Sequence, residues 1–159
     1  MEREEYNFWI SNLKNIGTRK IEMMLQFFGS AEEVYTASRE ALEEMKVGCL
    51  TGAGSRMFSN ADIEAILSGR DEQRVQESFA RLKEKEISFV TREEAGYPDK
   101  LRQIYASPFG IYVKGSLPPE GVKCLAVVGA RNCSQYGKEM ARYLAGAAAK
   151  VGIAVISGL

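Results

Sequence analysis

The chain has 159 residues, 45% of them hydrophobic and 26% charged, and its 21 basic and 21 acidic side chains give a formal net charge of zero. That balance describes a soluble globular protein of one domain or two small ones and argues against a general polyanion binder. Histidine is absent, which removes His-based acid–base and nucleophilic chemistry and most zinc sites.

No apolar run approaches the roughly 20 residues of a bilayer span. The start from Met1 to Glu5 is acidic and unlike a signal peptide, so a cytoplasmic location is expected. Residues 6–70 read as a set of short helices. Tyr6, Trp9, Ile10 and Leu13 share one helical face. Thr18 is placed to cap a helix carrying Ile21, Met24, Leu25 and Phe28 and ended by Gly29. Ser30 to Glu33 has the form of a capping box, and Ser38 begins a helix through Leu42 and Met45. Val47 to Arg56 is rich in glycine and irregular. Ser59 or Asn60 caps a helix through Ile63, Ile66 and Leu67 that stops at Gly69. The aromatic residues Tyr6, Phe8, Trp9, Phe27 and Phe28 read as core rather than as a stacking platform for bases.

Asp71 to Lys85 is an amphipathic helix with Val75, Phe79 and Leu82 on its apolar stripe. Ile87 to Thr91 is a short strand, Thr91 and Glu94 make a second capping pattern, and Tyr97-Pro98 imposes an extended bend. Leu101 and Ile104 lie on a helical turn. Ile111 to Val113 is another strand, closed by Gly115, and Pro118 to Gly121 is a turn or linker. Cys124 to Val128 is an almost wholly apolar run of the kind buried on both faces in a parallel sheet. Ser134 to Val151 is a long helix with Gly152 at its C′ position, and Ile153 to Ile156 is the next strand. This spacing is that of a right-handed β-α-β crossover with parallel strands. Of the three cysteines, Cys124 is expected in the core at a strand start, Cys133 lies in a loop, and with Cys49 they form neither a Cys-x-x-Cys pair nor a disulfide framework.

The turn Gly129-Ala130-Arg131-Asn132-Cys133-Ser134-Gln135-Tyr136-Gly137 joins strand to helix. A helix start offers free N–H groups and the positive end of the macrodipole to an anion. Gly129 permits a sharp turn, Arg131 can make a bidentate bond to phosphate, and the Ser134 hydroxyl caps the helix beside it. Asn132 belongs to the same turn, and Lys138 and Arg142 follow on the first turns of the helix. Ser157 and Gly158 end the neighbouring strand on the same sheet edge, where open α/β sheets bind ligands. The pattern is neither the dinucleotide fingerprint nor a Walker A loop. It fits a phosphate site, or a plain strand-to-helix turn with glycine for geometry and arginine for solubility. Charge favours the first: residues 119–159 carry 5 basic and 2 acidic side chains, residues 1–70 carry 8 and 11.

A family resemblance runs along these same residues. Tyr97-Pro98 with Leu101, Ile104 and Tyr105, then Ile111 to Gly115, then Val127 to Arg131 with Ser134, Tyr136 and Gly137, then Ile156 to Leu159, resemble the DNA-processing protein A (DprA, or Smf) family. Leu13 to Lys20 and Phe27 to Ser30 are similar to its N-terminal part. The resemblance implies an α/β protein: a helical SAM-like or helix-hairpin-helix domain over residues 1–70, then the beginning of an extended Rossmann-like DNA-binding domain over residues 71–159. It implies binding and protection of single-stranded DNA in natural transformation, loading of a RecA-type recombinase, dimerisation through the Rossmann domain, and no enzymatic activity, cofactor or metal. Carried over by position, Arg131 contacts DNA phosphate, Gly129, Ser134 and Gly137 shape the pocket, and Ser157-Gly158 forms its other wall.

The chain departs from the family pattern at Ala106-Ser107-Pro108, where Asp-Pro-Pro is usual, and at Arg19, where a helix-hairpin-helix turn has its second glycine. With its acidic surroundings, the segment around Gly17 reads as structural or protein-binding rather than DNA-binding. Two parallel strands cannot complete a doubly wound sheet, so the sequence is expected to continue in a longer parent. The alternatives are a nucleotide-processing Rossmann enzyme, for which the only nearby acid is Glu139, and a partner-binding module.

Overall fold

The computed structural model describes residues 1–48 and 58–158, so Cys49 and the rest of the Gly-rich segment through Arg56 lie outside the described residues. The chain forms two compact units, Met1–Gly115 and Ser116–Leu159. The contact boundary thus follows Gly115, whereas the sequence-based functional division falls after residue 70.

The first unit opens with α1 (Arg3–Ser11), α2 (Thr18–Phe28), α3 (Ala31–Thr36), α4 (Arg39–Gly48), α5 (Asn60–Ser68) and α6 (Glu72–Glu84). Most boundaries follow from local hydrogen bonding. The hydroxyl of Ser30 accepts from the Glu33 amide at 3.1 Å, and the carboxylate of Asp71 accepts from the Arg74 amide at 3.0 Å. Gly29 ends α2 at φ +96°, a conformation glycine adopts without strain. One start differs from expectation: Gly17 is the N-cap of α2, and Thr18 is already helical with no capping bond from its side chain.

Trp9, Ile10, Met24, Val34, Leu42, Met45, Ile63 and Ile66 fill the centre of this unit, with Trp9 held by a 2.8 Å bond from its indole N–H to the Gly69 carbonyl. Phe8 and Trp9 are core, as their spacing requires, but Phe27 is 48% exposed. The strands β1 (Ile87–Thr91) and β2 (Gly110–Lys114) pair antiparallel, with Thr91 opposite Gly110, and α7 (Asp99–Arg102) lies between them in the chain. Phe89 on β1 and Tyr112 on β2 meet Phe8 edge-on, which fastens the strand pair to the helices. A Cβ at Gly110 would collide with the Phe89 ring, so this packing requires glycine there. Tyr97 is buried, its hydroxyl donating to the Pro108 carbonyl at 2.8 Å.

The second unit contains β3 (Cys124–Val127), α8 (Gln135–Lys150) and β4 (Ala154–Ser157). The strands are parallel and in register from Cys124 opposite Ala154 to Val127 opposite Ser157. The crossover helix packs on both. The whole is an α/β protein with an incomplete Rossmann-like sheet. Burial differs from expectation: Cys124, Leu125 and Ile156 are exposed. A single helix covers one face of a strand pair, and a parallel strand needs cover on two.

The first unit also contains an inward-facing ion pair. Lys20 on α2 donates to Asp62 on α5 at 2.6 Å, while Asp62 also accepts from the amide and hydroxyl of Ser59 and closes the cap of its own helix. Burial pushes the Asp62 carboxyl up, but the bonds from Lys20 and Ser59 outweigh it and hold the group below its ordinary value. Its stabilisation is therefore complete above the unfolded value of about 3.9 and is lost as the pH falls through the lower folded value. Asp62→Ala is expected to lower the unfolding free energy by roughly 3 kcal/mol in urea titrations at pH 7, with the gap to the parent closing in strongly acidic solution.

Candidate nucleic-acid interface

The parallel register sets the geometry of the candidate site. Because Val127 stands opposite Ser157, the two strands end side by side, and the turn from Val128 leaves one end next to Ser157 and Gly158 on the other. The same turn then enters α8 at its N-cap, Ser134, whose hydroxyl accepts from the Gly137 amide at 3.2 Å. The first turn of α8 holds no acidic residue, and the amides of Gln135 and Tyr136 have no acceptor among the described residues. A helix N-terminus without a neutralising carboxylate is a favourable place for an anion.

The side chains agree with that field. Arg131, Asn132 and Lys138 are exposed, and their side chains make no hydrogen bond or ion pair among the described residues. The nearest acid along the helix, Glu139, accepts from the side-chain Nε2 of Gln135 at 2.8 Å. The structure thus brings Ser134, Gly137 and Lys138 together on the start of α8 and joins them through the turn to Gly129, Ala130, Arg131 and Asn132. Ser157 and Gly158 fall on the same strand edge.

The glycines are informative. Neither Gly129 nor Gly158 has a positive φ, and a Cβ at either would meet nothing within 4 Å. The backbone of this chain therefore demands glycine at neither position. Gly17 and Gly146 share this state, so open space at Gly129 and Gly158 is compatible with the close approach of a phosphate without requiring one.

The basic residues around Gly17 contrast with these. Lys20 is committed to Asp62, and Arg19 donates to the Tyr105 hydroxyl at 2.9 Å with its guanidinium over that ring. Sequence reasoning did not find the Tyr105 and Asp62 partners. Asp62 carries a local signal, since it stands three residues after Ser59 in the capping-box position, but nothing local joins it to Lys20. Among the described residues no cluster of His, Cys, Asp and Glu could hold a metal ion, and no helix is long and apolar enough to cross a membrane.

A mainly helical unit with one antiparallel strand pair, followed by a parallel β-α-β unit, is an α/β architecture with an incomplete Rossmann-like sheet. Comparison with known proteins carries this further: residues 88–159 match the family of DNA recombination-mediator protein A. The chain is similar to Protein Smf of Borreliella burgdorferi, 45% identical over 62 residues, which is 39% of this chain and 20% of that protein. It is also similar to Protein Smf of Synechocystis, 26% identical over 165 residues, which is 100% of this chain and 39% of that protein. The second half of the chain thus resembles the DNA recombination-mediator protein A family, and the chain spans well under half the length of both relatives.

The cap makes a separable contribution to the site. Ser134→Ala is expected to cost about 1 kcal/mol of α8 stability, seen as faster amide hydrogen exchange over Gln135 to Met140 with exchange over Ile10 to Leu13 unchanged.

Proposed function

We propose that the turn from Gly129 to Lys138, with Ser157 and Gly158, binds the phosphates of single-stranded DNA. This contact serves the protection of incoming DNA in natural transformation and the loading of a RecA-type recombinase. The protein acts in the cytoplasm as a homodimer and without enzymatic activity. The reading keeps the functional division after residue 70: residues 1–70 are a SAM-like module, and residues 71–159 begin the DNA-binding domain. The observation that carries it is the free cation at the strand ends. Arg131 has no partner among the described residues and follows a glycine that the fold does not require. The name of the matched family, a DNA recombination mediator, supplies the nucleic acid. In such a site phosphate contacts position the strand and give a salt-dependent, weakly sequence-selective affinity.

A partner-binding role has its own support in the apolar residues that the second unit leaves exposed, Leu125 and Ile156 on the strands and Tyr136 and Tyr143 on α8. No observation favours a nucleotide-processing enzyme, because Glu139 is turned to Gln135 along the helix surface.

Fluorescence anisotropy with a labelled oligo-dT separates these readings. Arg131→Ala is expected to weaken binding by about 1–3 kcal/mol and to flatten the salt dependence by about one phosphate contact. Normal oligonucleotide binding by a folded Arg131→Ala protein, in this chain or in a full-length relative, would place the DNA elsewhere.

A further inference from the structure

The first unit has a cleft of about 490 Å³ that the proposed DNA site does not use. It runs between the end of α1, the end of α5 and the first two turns of α6. Phe8, Trp9, Leu13 and Val75 form its floor, and Lys14 and Arg74 stand on its rim. We propose that this cleft docks a short acidic peptide segment carrying an aliphatic side chain.

Charge is the first argument. Residues 1–115 hold 16 basic and 19 acidic side chains, and several of the basic ones are paired: Lys20 with Asp62, Arg39 with Glu64, Arg92 with Glu22. Lys14 and Arg74 are exposed and have no acidic partner among the described residues, although both border one cleft. The cleft's own acid, Asp71, is occupied in capping α6 through the Arg74 amide. A cleft with two unanswered cations in an acidic surface complements a ligand with a few carboxylates.

The floor decides between kinds of anion. Phe8 and Trp9 are buried to within a few per cent and packed edge-on against other rings, and the Trp9 indole N–H is tied to Gly69. No aromatic face is presented for a base to stack on, and two cations make no track for a polyphosphate chain. The ring edges and the few exposed atoms of Leu13 and Val75, each 7% exposed, leave a narrow apolar floor that an aliphatic side chain can cover and a stacked base cannot. The Ser78 hydroxyl, which makes no bond among the described residues, stands in the cleft wall for a peptide backbone group. Gly69 keeps the wall thin, since a Cβ there would sit 2.8 Å from Leu13 and 3.3 Å from the Trp9 nitrogen.

Trp9 is the chain's single tryptophan, so its emission reports on the cleft directly. The test is a fluorescence titration of the intact chain with a capped hexapeptide of alternating Asp and Leu. A saturable change in Trp9 emission is expected, about tenfold weaker in half-saturation for the charge-reversed K14E/R74E variant and for the peptide with Asn in place of Asp. The Asn peptide acts on the unmodified protein, so the result does not depend on the variant's folding. No saturable change, equal affinity of the Asp and Asn peptides, or displacement of the peptide by oligo-dT of matching charge would each overturn the assignment. None of these outcomes bears on Arg131, whose site lies in the other unit.

Discussion

Everything at the candidate interface depends on one constraint, the parallel pairing of Cys124–Val127 with Ala154–Ser157. Parallel strands cannot be joined by a tight turn, so the chain must cross over, and here it does so through the sixteen residues of α8. The crossover has two chemical consequences. Both strand ends fall on one edge, and the helix that leaves the first of them starts there, with its positive end at the edge. A ligand anion is thus favoured by the topology before any side chain is considered. Arg131 and Lys138 then add formal charge to a place already favourable to it.

The two units use their basic residues differently, and the difference bears on where nucleic acid can bind. In the first unit the segment around Gly17 reads in sequence as structural or protein-binding rather than DNA-binding, and in the structure Arg19 lies on the Tyr105 ring and Lys20 is locked to a buried carboxylate. Freeing Lys20 for a phosphate would strand Asp62 without its partner, an exchange costing several kcal/mol. In the second unit no such exchange is needed, because Arg131 and Lys138 have nothing to give up. The energetic asymmetry is larger than any difference in the number of cations.

What was legible in the sequence follows from the range of the forces involved. Most helix limits set by local hydrogen bonds were readable: Ser30 and Ser134 cap as expected, and Ser59, not Asn60, caps α5, while Thr18 does not cap α2. The parallel pair was readable from its apolar runs and the length between them. The strand-to-helix turn was readable as an element, and the family match over residues 88–159 agrees with the resemblance. Features that depend on distant residues were not readable. Lys20 and Asp62 are 42 positions apart and Arg19 and Tyr105 are 86 apart, so neither pairing leaves a local trace. The burial of Cys124 was misjudged for the same reason, since strand composition reports the sheet a strand is suited to and cover depends on what packs against it.

That mismatch between composition and cover gives the glycine turn its meaning. Cys124 to Val128 is composed for a two-sided interior but has α8 on one side, so the strands are suited to more contacts than they make. Gly129 and Gly158 show the same surplus at the strand ends: residues with no side chain, in ordinary backbone conformations, facing open space. Glycine carries an entropic penalty on folding that alanine would reduce at any position with a permissive φ. A fold alone gives no reason to keep it there. On the proposed reading, a phosphate brought against the bare backbone at Gly129 would give one, and the unpaired guanidinium two residues later would be the group it meets first.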